Sequence, residues 1–129
     1  MLSVAAARLG YRTPIYEPGA NPPATAVAHL VTTAPYEDEA ALTAFAAAVD
    51  VITYEFENVP TAALDLLEAR RPIRPSRRAL ATSQDRIAEK DFLSALGLKT
   101  APYAAVTTAA DLDAAHELSQ PVHHRTGVD

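Results

Sequence analysis

Val51-Ile52-Thr53-Tyr54-Glu55-Phe56 is the densest run of β-branched and aromatic residues in the chain, and it reads as a strand. Asn58 and Pro60 follow it and open a helix that carries Leu64, Leu66 and Leu67. Pro72-Ile73-Arg74-Pro75 then bounds a second short strand. Two strands joined through a helix by short links form a βαβ unit, which pairs its strands in parallel. Working back from Val51, an alanine-rich helix ends near Val49. It starts at Glu37, Asp38 and Glu39, where a helix N-terminus favours negative charge. Leu30 to Thr33 reads as a small strand, and Pro22 and Pro23 suit the first turn of a short helix through Ala28. Arg12 to Tyr16 is an extended run closed by the Pro18-Gly19 turn. The chain opens in a helix, Leu2 to Leu9, with Gly10 where a terminating glycine sits. The alternation predicts an α/β fold on a parallel sheet.

After Pro75 the character changes. Ser76 can cap a helical stretch that runs, with a break near Ser83, to Leu96, where Gly97 stops it. Pro102 to Val106 is expected to be extended, and Thr108-Ala109-Ala110-Asp111 resembles a capping box before one more helix. A domain boundary is expected near residues 75–80, giving an N-terminal domain over 1–76 and a second over 77–129. In doubly wound sheets of order 3-2-1-4 the first strand is central and leads through a Gly-rich turn into the first helix. The sequence starts at that helix, so the N-terminal domain is expected to lack its first strand. An apolar strand is expected after Gln120, yet His123-His124-Arg125-Thr126 is polar.

Composition narrows the function classes. A chain of 129 residues has the length of one ordinary domain, and much of its apolar half is alanine, which makes for a thin core. A net charge of −5, with nine Arg and two Lys, argues against a nucleic-acid or anionic-membrane surface. Cys is absent, which excludes disulfides, zinc-thiolate sites and thiol nucleophiles. No signal peptide and no apolar run of membrane-spanning length is visible, so a cytoplasmic protein is expected.

Tyr54-Glu55-Phe56-Glu57-Asn58-Val59-Pro60 resembles a motif of the ATP-grasp family of 5-(carboxyamino)imidazole ribonucleotide synthases, ligases of purine biosynthesis. Three other stretches agree in order and spacing. They are Ala5-Ala6-Ala7-Arg8-Leu9-Gly10-Tyr11, then Arg74-Pro75-Ser76 through Gln84-Asp85-Arg86 to Glu89-Lys90, and Leu96-Gly97 through Thr100-Ala101-Pro102-Tyr103. The resemblance implies a Rossmann-like pre-ATP-grasp domain followed by the opening of an ATP-grasp domain. It implies carboxylation of 5-aminoimidazole ribonucleotide by bicarbonate, driven by ATP with Mg2+, in an enzyme that is usually a homodimer. The family's phosphate-binding glycine turn, its ATP-binding lysine, the Gly-rich loop and the magnesium carboxylates find no match among residues 1–129, and residues 123–129 diverge from the family. A polypeptide of these residues alone is therefore expected to lack synthase activity.

Glu55 ends the strand, where open α/β sheets bind ligands, and can accept hydrogen bonds from ribose hydroxyls. The resemblance makes it a substrate contact; the plain alternative is a solvated acid helping to cap the next helix. Glu57, two residues on, would share its face in a continuing strand, either touching substrate or supporting the turn. Arg86 matches an arginine that meets ATP, its planar fork suited to phosphate oxygens. The alternative is an i, i+3 or i, i+4 pair with an acid such as Glu89 on a solvated helix. Arg74, Arg77 and Arg78 read as a solvated basic face, and Glu17 as a weak candidate for a ribose-binding acid. His123 and His124 lack the spacing of a metal site. Two rival readings are a dinucleotide-binding fragment of an oxidoreductase and a non-catalytic pseudogene product.

Overall fold

The computed structural model describes residues 1–119. The expectations placed on Pro121–Val122 and on residues 123–129 lie outside them. Helix α1 spans Leu2–Arg8 and ends as the sequence predicts. Gly10 sits at φ 84°. Its N–H donates to the Ala7 carbonyl at 3.0 Å and that of Tyr11 to the Ala6 carbonyl at 3.0 Å. This closure needs a left-handed residue, which glycine supplies without a Cβ penalty. Strand β1 (Pro14–Tyr16) pairs in parallel with β2 (Leu30–Thr32), Pro14 opposite Leu30 and Tyr16 opposite Thr32. The link between them holds a 3-10 turn at Pro23–Ala26, tighter and shorter than the helix through Ala28 that the sequence predicts.

Helix α2 (Glu39–Ala47) begins where the acidic cluster sits, and the Asp38 carboxylate accepts from the Ala41 N–H at 2.9 Å. Strand β3 is only Ile52–Thr53, far shorter than the Val51–Phe56 run. Its partner sets the limit: β4 is Ile73–Arg74, held between Pro72 and Pro75, and a proline has no N–H for the ladder. Ile52 stands opposite Ile73 and Thr53 opposite Arg74, in parallel, with α3 (Thr61–Glu68) as the crossover. The two strand pairs form separate sheets, β1-β2 and β3-β4.

Helix α4 covers Arg77–Gln84 and α5 covers Arg86–Ala95, so the expected break falls at Asp85 rather than Ser83. The chain divides into two compact units, Met1–Gln84 and Asp85–Asp129. The first unit takes α4 with it. Its core is one cluster of Leu42 and Ala46 from α2, Ile52, Val59, Ala63, Leu64 and Leu67 from α3 and its approach, Ile73, and Leu80 from α4. Tyr16 at the end of β1 packs against this cluster, its ring stacked on Tyr36 at 5.7 Å and edge-on to Phe45 at 5.5 Å. The Tyr16 hydroxyl donates to the Pro35 carbonyl at 2.6 Å, and burial raises its pKa above the usual value, with Asp38 adding to the effect.

The second unit is described to Ser119. Asp85 accepts from the Ile87 and Ala88 N–H groups at 2.9 and 3.0 Å, and α5 closes at Gly97 with φ 77°. Pro102 to Val106 is neither helix nor turn, and among the described residues it has no ladder partner. Helix α6 (Ala109–Ser119) opens with the predicted box. The Asp111 N–H donates to the Thr108 hydroxyl at 3.2 Å, while the Asp111 carboxylate accepts from the Thr107 and Thr108 N–H groups at 3.0 and 2.8 Å. Among the described residues no helix is long and apolar enough to cross a membrane.

Candidate functional site

The carboxyl ends of parallel strands are where an open α/β sheet leaves its ligand crevice, because the loops there diverge while helix N-termini point back toward them. At β3 that edge is the segment Tyr54 to Pro60. Ile52 is buried, and Tyr54 is half-buried against the core cluster. The Tyr54 hydroxyl donates to the Ser76 carbonyl at 3.0 Å, fixing the strand end to the start of α4, and burial raises its pKa. Glu55 and Phe56 then turn outward, and both are exposed. Because β3 ends at Thr53, the two-residue alternation does not reach Glu57, which lies in a turn with Asn58. The shared strand face expected for Glu55 and Glu57 is therefore corrected: both carboxylates are exposed on one short loop, without a common pleat. Val59 returns to the core at 7 % exposure, and Pro60 leads into α3 with φ −60°.

Gln84 holds this loop, and an ion pair ties the two helices that flank it. Gln84, the last residue of α4, donates from one side-chain nitrogen to the Glu57 carbonyl at 2.6 Å and to the Val59 carbonyl at 2.8 Å. Arg77 at the first turn of α4 reaches Asp65 on α3, with Nε 2.8 Å from Oδ1 and Nη2 3.2 Å from Oδ2. Among the described residues neither the Glu55 nor the Glu57 carboxylate has a hydrogen bond or ion pair of its own. The loop backbone is thus tied down while its two acids stand free, and free carboxylates on a fixed backbone can accept hydrogen bonds from hydroxyl or amine donors.

Arg86 is the first residue of α5 and extends toward solvent, where its Nη1 pairs with the Glu89 carboxylate one turn on. Arg74, Arg77 and Arg78 do not act together: Arg77 is bound to Asp65, and Arg74 donates to the Ile73 carbonyl at 2.7 Å. Glu17 folds back on its own turn and accepts from the Gly19 N–H at 2.9 Å. Sequence reasoning missed the two long-range clamps, Gln84 on the acidic loop and Arg71 on α2. Arg71 Nε donates to the Ala46 and Val49 carbonyls at 3.0 and 2.6 Å, satisfying groups at a helix end that the helix itself leaves open. A local signal existed for Gln84, which directly precedes the Asp85 cap and so must end one helix. Nothing local marked Arg71. Among the described residues no three His, Asp or Glu side chains gather as a metal site.

Residues 1–84 match the model of the ribonucleotide synthetase preATP-grasp domain, and the chain belongs to that family. The relatives narrow the class. The chain is 50 % identical over 115 residues to N5-carboxyaminoimidazole ribonucleotide synthase of Brucella melitensis biotype 1, covering 89 % of this chain and 32 % of that protein. It is similar to the crystal structure of N5-carboxyaminoimidazole ribonucleotide synthetase from Thermus thermophilus, with TM-score 0.87 and 36 % identity, over 92 % of this chain and 32 % of that one. A further similar structure is the synthase of Aspergillus clavatus in complex with ADP and 5-aminoimidazole ribonucleotide, at TM-score 0.75 and 27 % identity, covering 91 % of this chain and 32 % of that one. The chain thus spans about a third of the length of the relatives it matches. The α/β class expected from the strand-helix alternation is the class of this family. The oxidoreductase rival gains no support from these relatives.

Proposed function

We propose that this chain forms the substrate-side part of an ATP-dependent ligase that carboxylates 5-aminoimidazole ribonucleotide with bicarbonate in purine biosynthesis, and that Glu55 is its ribonucleotide contact. One observation carries the assignment: Glu55 stands exposed and unpaired at the carboxyl end of β3, on a loop whose backbone is fixed at both ends. A carboxylate in that place accepts two hydroxyl hydrogen bonds at once, which suits a ribose and discriminates against a ligand lacking the pair. Glu57 assists, as a second acceptor on the same loop or as support for the turn. Carboxylation of the amine is a transfer that the bound ribonucleotide undergoes in place, so the loop's task is to hold and orient it.

Arg86 is proposed as an ATP contact, its fork released from Glu89 to a phosphate; that exchange costs little because the guanidinium is largely solvated. The residues after β4 lead, in this reading, into the ATP-grasp portion. Mg2+ accompanies ATP, and its ligands are not assigned among residues 1–119. The whole enzyme is proposed to be a cytoplasmic homodimer with small-molecule substrates and no nucleic-acid partner.

Isothermal titration of 5-aminoimidazole ribonucleotide into the chain tests the assignment. Glu55→Gln keeps the shape and removes the charge, and affinity is expected to fall about tenfold, or ~1.4 kcal/mol. Its melting temperature is expected to stay unchanged, since Glu55 has no internal partner. Equal affinity in the two proteins overturns the role given to Glu55.

A further inference from the structure

We propose that Gln84 is the positioning residue of the acidic loop: its single amide group holds the Glu57–Val59 turn in the shape that presents Glu55 and Glu57 to the ribonucleotide. The proposal rests on the ribonucleotide reading of those acids and adds the residue that orders them. A carboxamide nitrogen carries two protons, and here both are used, on carbonyls two residues apart in one turn, at 2.6 Å and 2.8 Å. These carbonyls lie 27 and 25 positions away in sequence, so the pair of bonds is a tertiary clamp and no part of helix geometry. Turns are the segments whose peptide planes reorient most easily, and the two bonds fix the planes after Glu57 and after Val59, so that the backbone leading from Glu55 to α3 is held in one course.

Three features fix Gln84 itself. Leu80, one turn earlier on α4, is 2 % exposed in the core. The other end of α4 is anchored by Arg77 on Asp65 and by the Tyr54 hydroxyl on Ser76. Asp85 caps the next helix directly after Gln84, so α4 ends there and the side chain is delivered to the loop at a set height. Gln84 is itself exposed and fills no part of the core. Its loss therefore loosens the turn while leaving the packed unit intact.

The test uses the full chain with Gln84→Met, which keeps the length and removes both donors, and Gln84→Lys, which restores a donor group. Amide ¹⁵N order parameters for residues 55–59 are expected to fall from about 0.85 to below about 0.6 in Gln84→Met and to recover in Gln84→Lys, with the rest of the first unit unchanged. Affinity for 5-aminoimidazole ribonucleotide is expected to fall about tenfold and to recover in the same variants. Unchanged order parameters in Gln84→Met overturn the proposal, as does a Lys variant no better than Met. Failure of the parent chain to bind the ribonucleotide overturns the functional reading instead, and with it the purpose given to the clamp. A loosened turn in Gln84→Met would then show the clamp as structure alone.

Discussion

Residues 38–84 and residues 85–119 are held together in opposite ways. Every buried apolar side chain of the described structure lies between Leu42 and Leu80, and α2, α3, β3, β4 and α4 all contribute to that one cluster. From Asp85 to His116 no residue is buried. There the helices begin on Asp85 and on the Thr108–Asp111 box, α5 ends on Gly97, and the Tyr103 hydroxyl reaches the Asp91 carboxylate. Caps satisfy terminal backbone groups and set where a helix starts and stops, and each contributes about 1 kcal/mol. A buried leucine contributes more, about 1.5–3 kcal/mol by transfer alone. The difference teaches that this alanine-rich chain gathers its largest fully buried side chains, Leu42, Leu64, Ile73 and Leu80, in a single cluster. The loop with Glu55 and Glu57 leaves that core at Tyr54 and returns to it at Val59.

The contrast can be broken most sharply inside the core. Leu64 is 1 % exposed, and Leu64→Ala is expected to cost about 3 kcal/mol through lost transfer energy and the cavity left behind. Leu96, at 61 % exposure, should lose about 1 kcal/mol or less as Leu96→Ala. Urea unfolding followed through amide signals of each unit measures both. Equal costs would abolish the distinction drawn between the units.

A smaller effect is expected at Arg71, which ties the start of β4 to the end of α2. Arg71→Met keeps the apolar stem and removes the donors to Ala46 and Val49, at an expected cost of about 1 kcal/mol in the same unfolding experiment. No change would mean that water serves those carbonyls as well as the guanidinium does.

The smallest effect belongs to the second unit and is read by pH. Hydrogen bonds from the Thr107 hydroxyl and N–H, then from Thr108, hold the Asp111 carboxyl at about 2, below its ordinary 3.8. A carboxyl whose folded value is depressed supports the fold above its unfolded value and loses that support as pH falls. The helical amide signals of α6 should therefore be constant above pH 4 and weaken from about pH 4 toward pH 2. Asp111→Asn should remove that dependence. A wild-type titration flat down to pH 2 would show that the box does not hold α6.

What the sequence disclosed follows the same division. Helix termini were mostly legible because their chemistry lies within four residues: Asp38 and Thr108–Asp111 at the starts, Gly10 and Gly97 at the ends, while the start at Asp85 was expected two residues earlier, near Ser83. Strand lengths were not, because a strand is as long as its partner allows. Val51 to Phe56 has the composition for six residues, and Pro72 and Pro75 leave it two. Glu55 could be placed at a strand end from the sequence, but the clamps of Gln84 and Arg71 span more than twenty positions, and a helix end at Gln84 says nothing of the carbonyls it reaches. The pleat that would have aligned Glu57 with Glu55 stops short for the same reason as the strand.

The most direct test of the account is to titrate 5-aminoimidazole ribonucleotide into the ¹⁵N-labelled chain and follow every backbone amide. Saturable shifts are expected, concentrated at residues 53–59, the carboxyl edge of β3. Saturable shifts that leave this loop untouched, or no shifts at millimolar ribonucleotide, would contradict it.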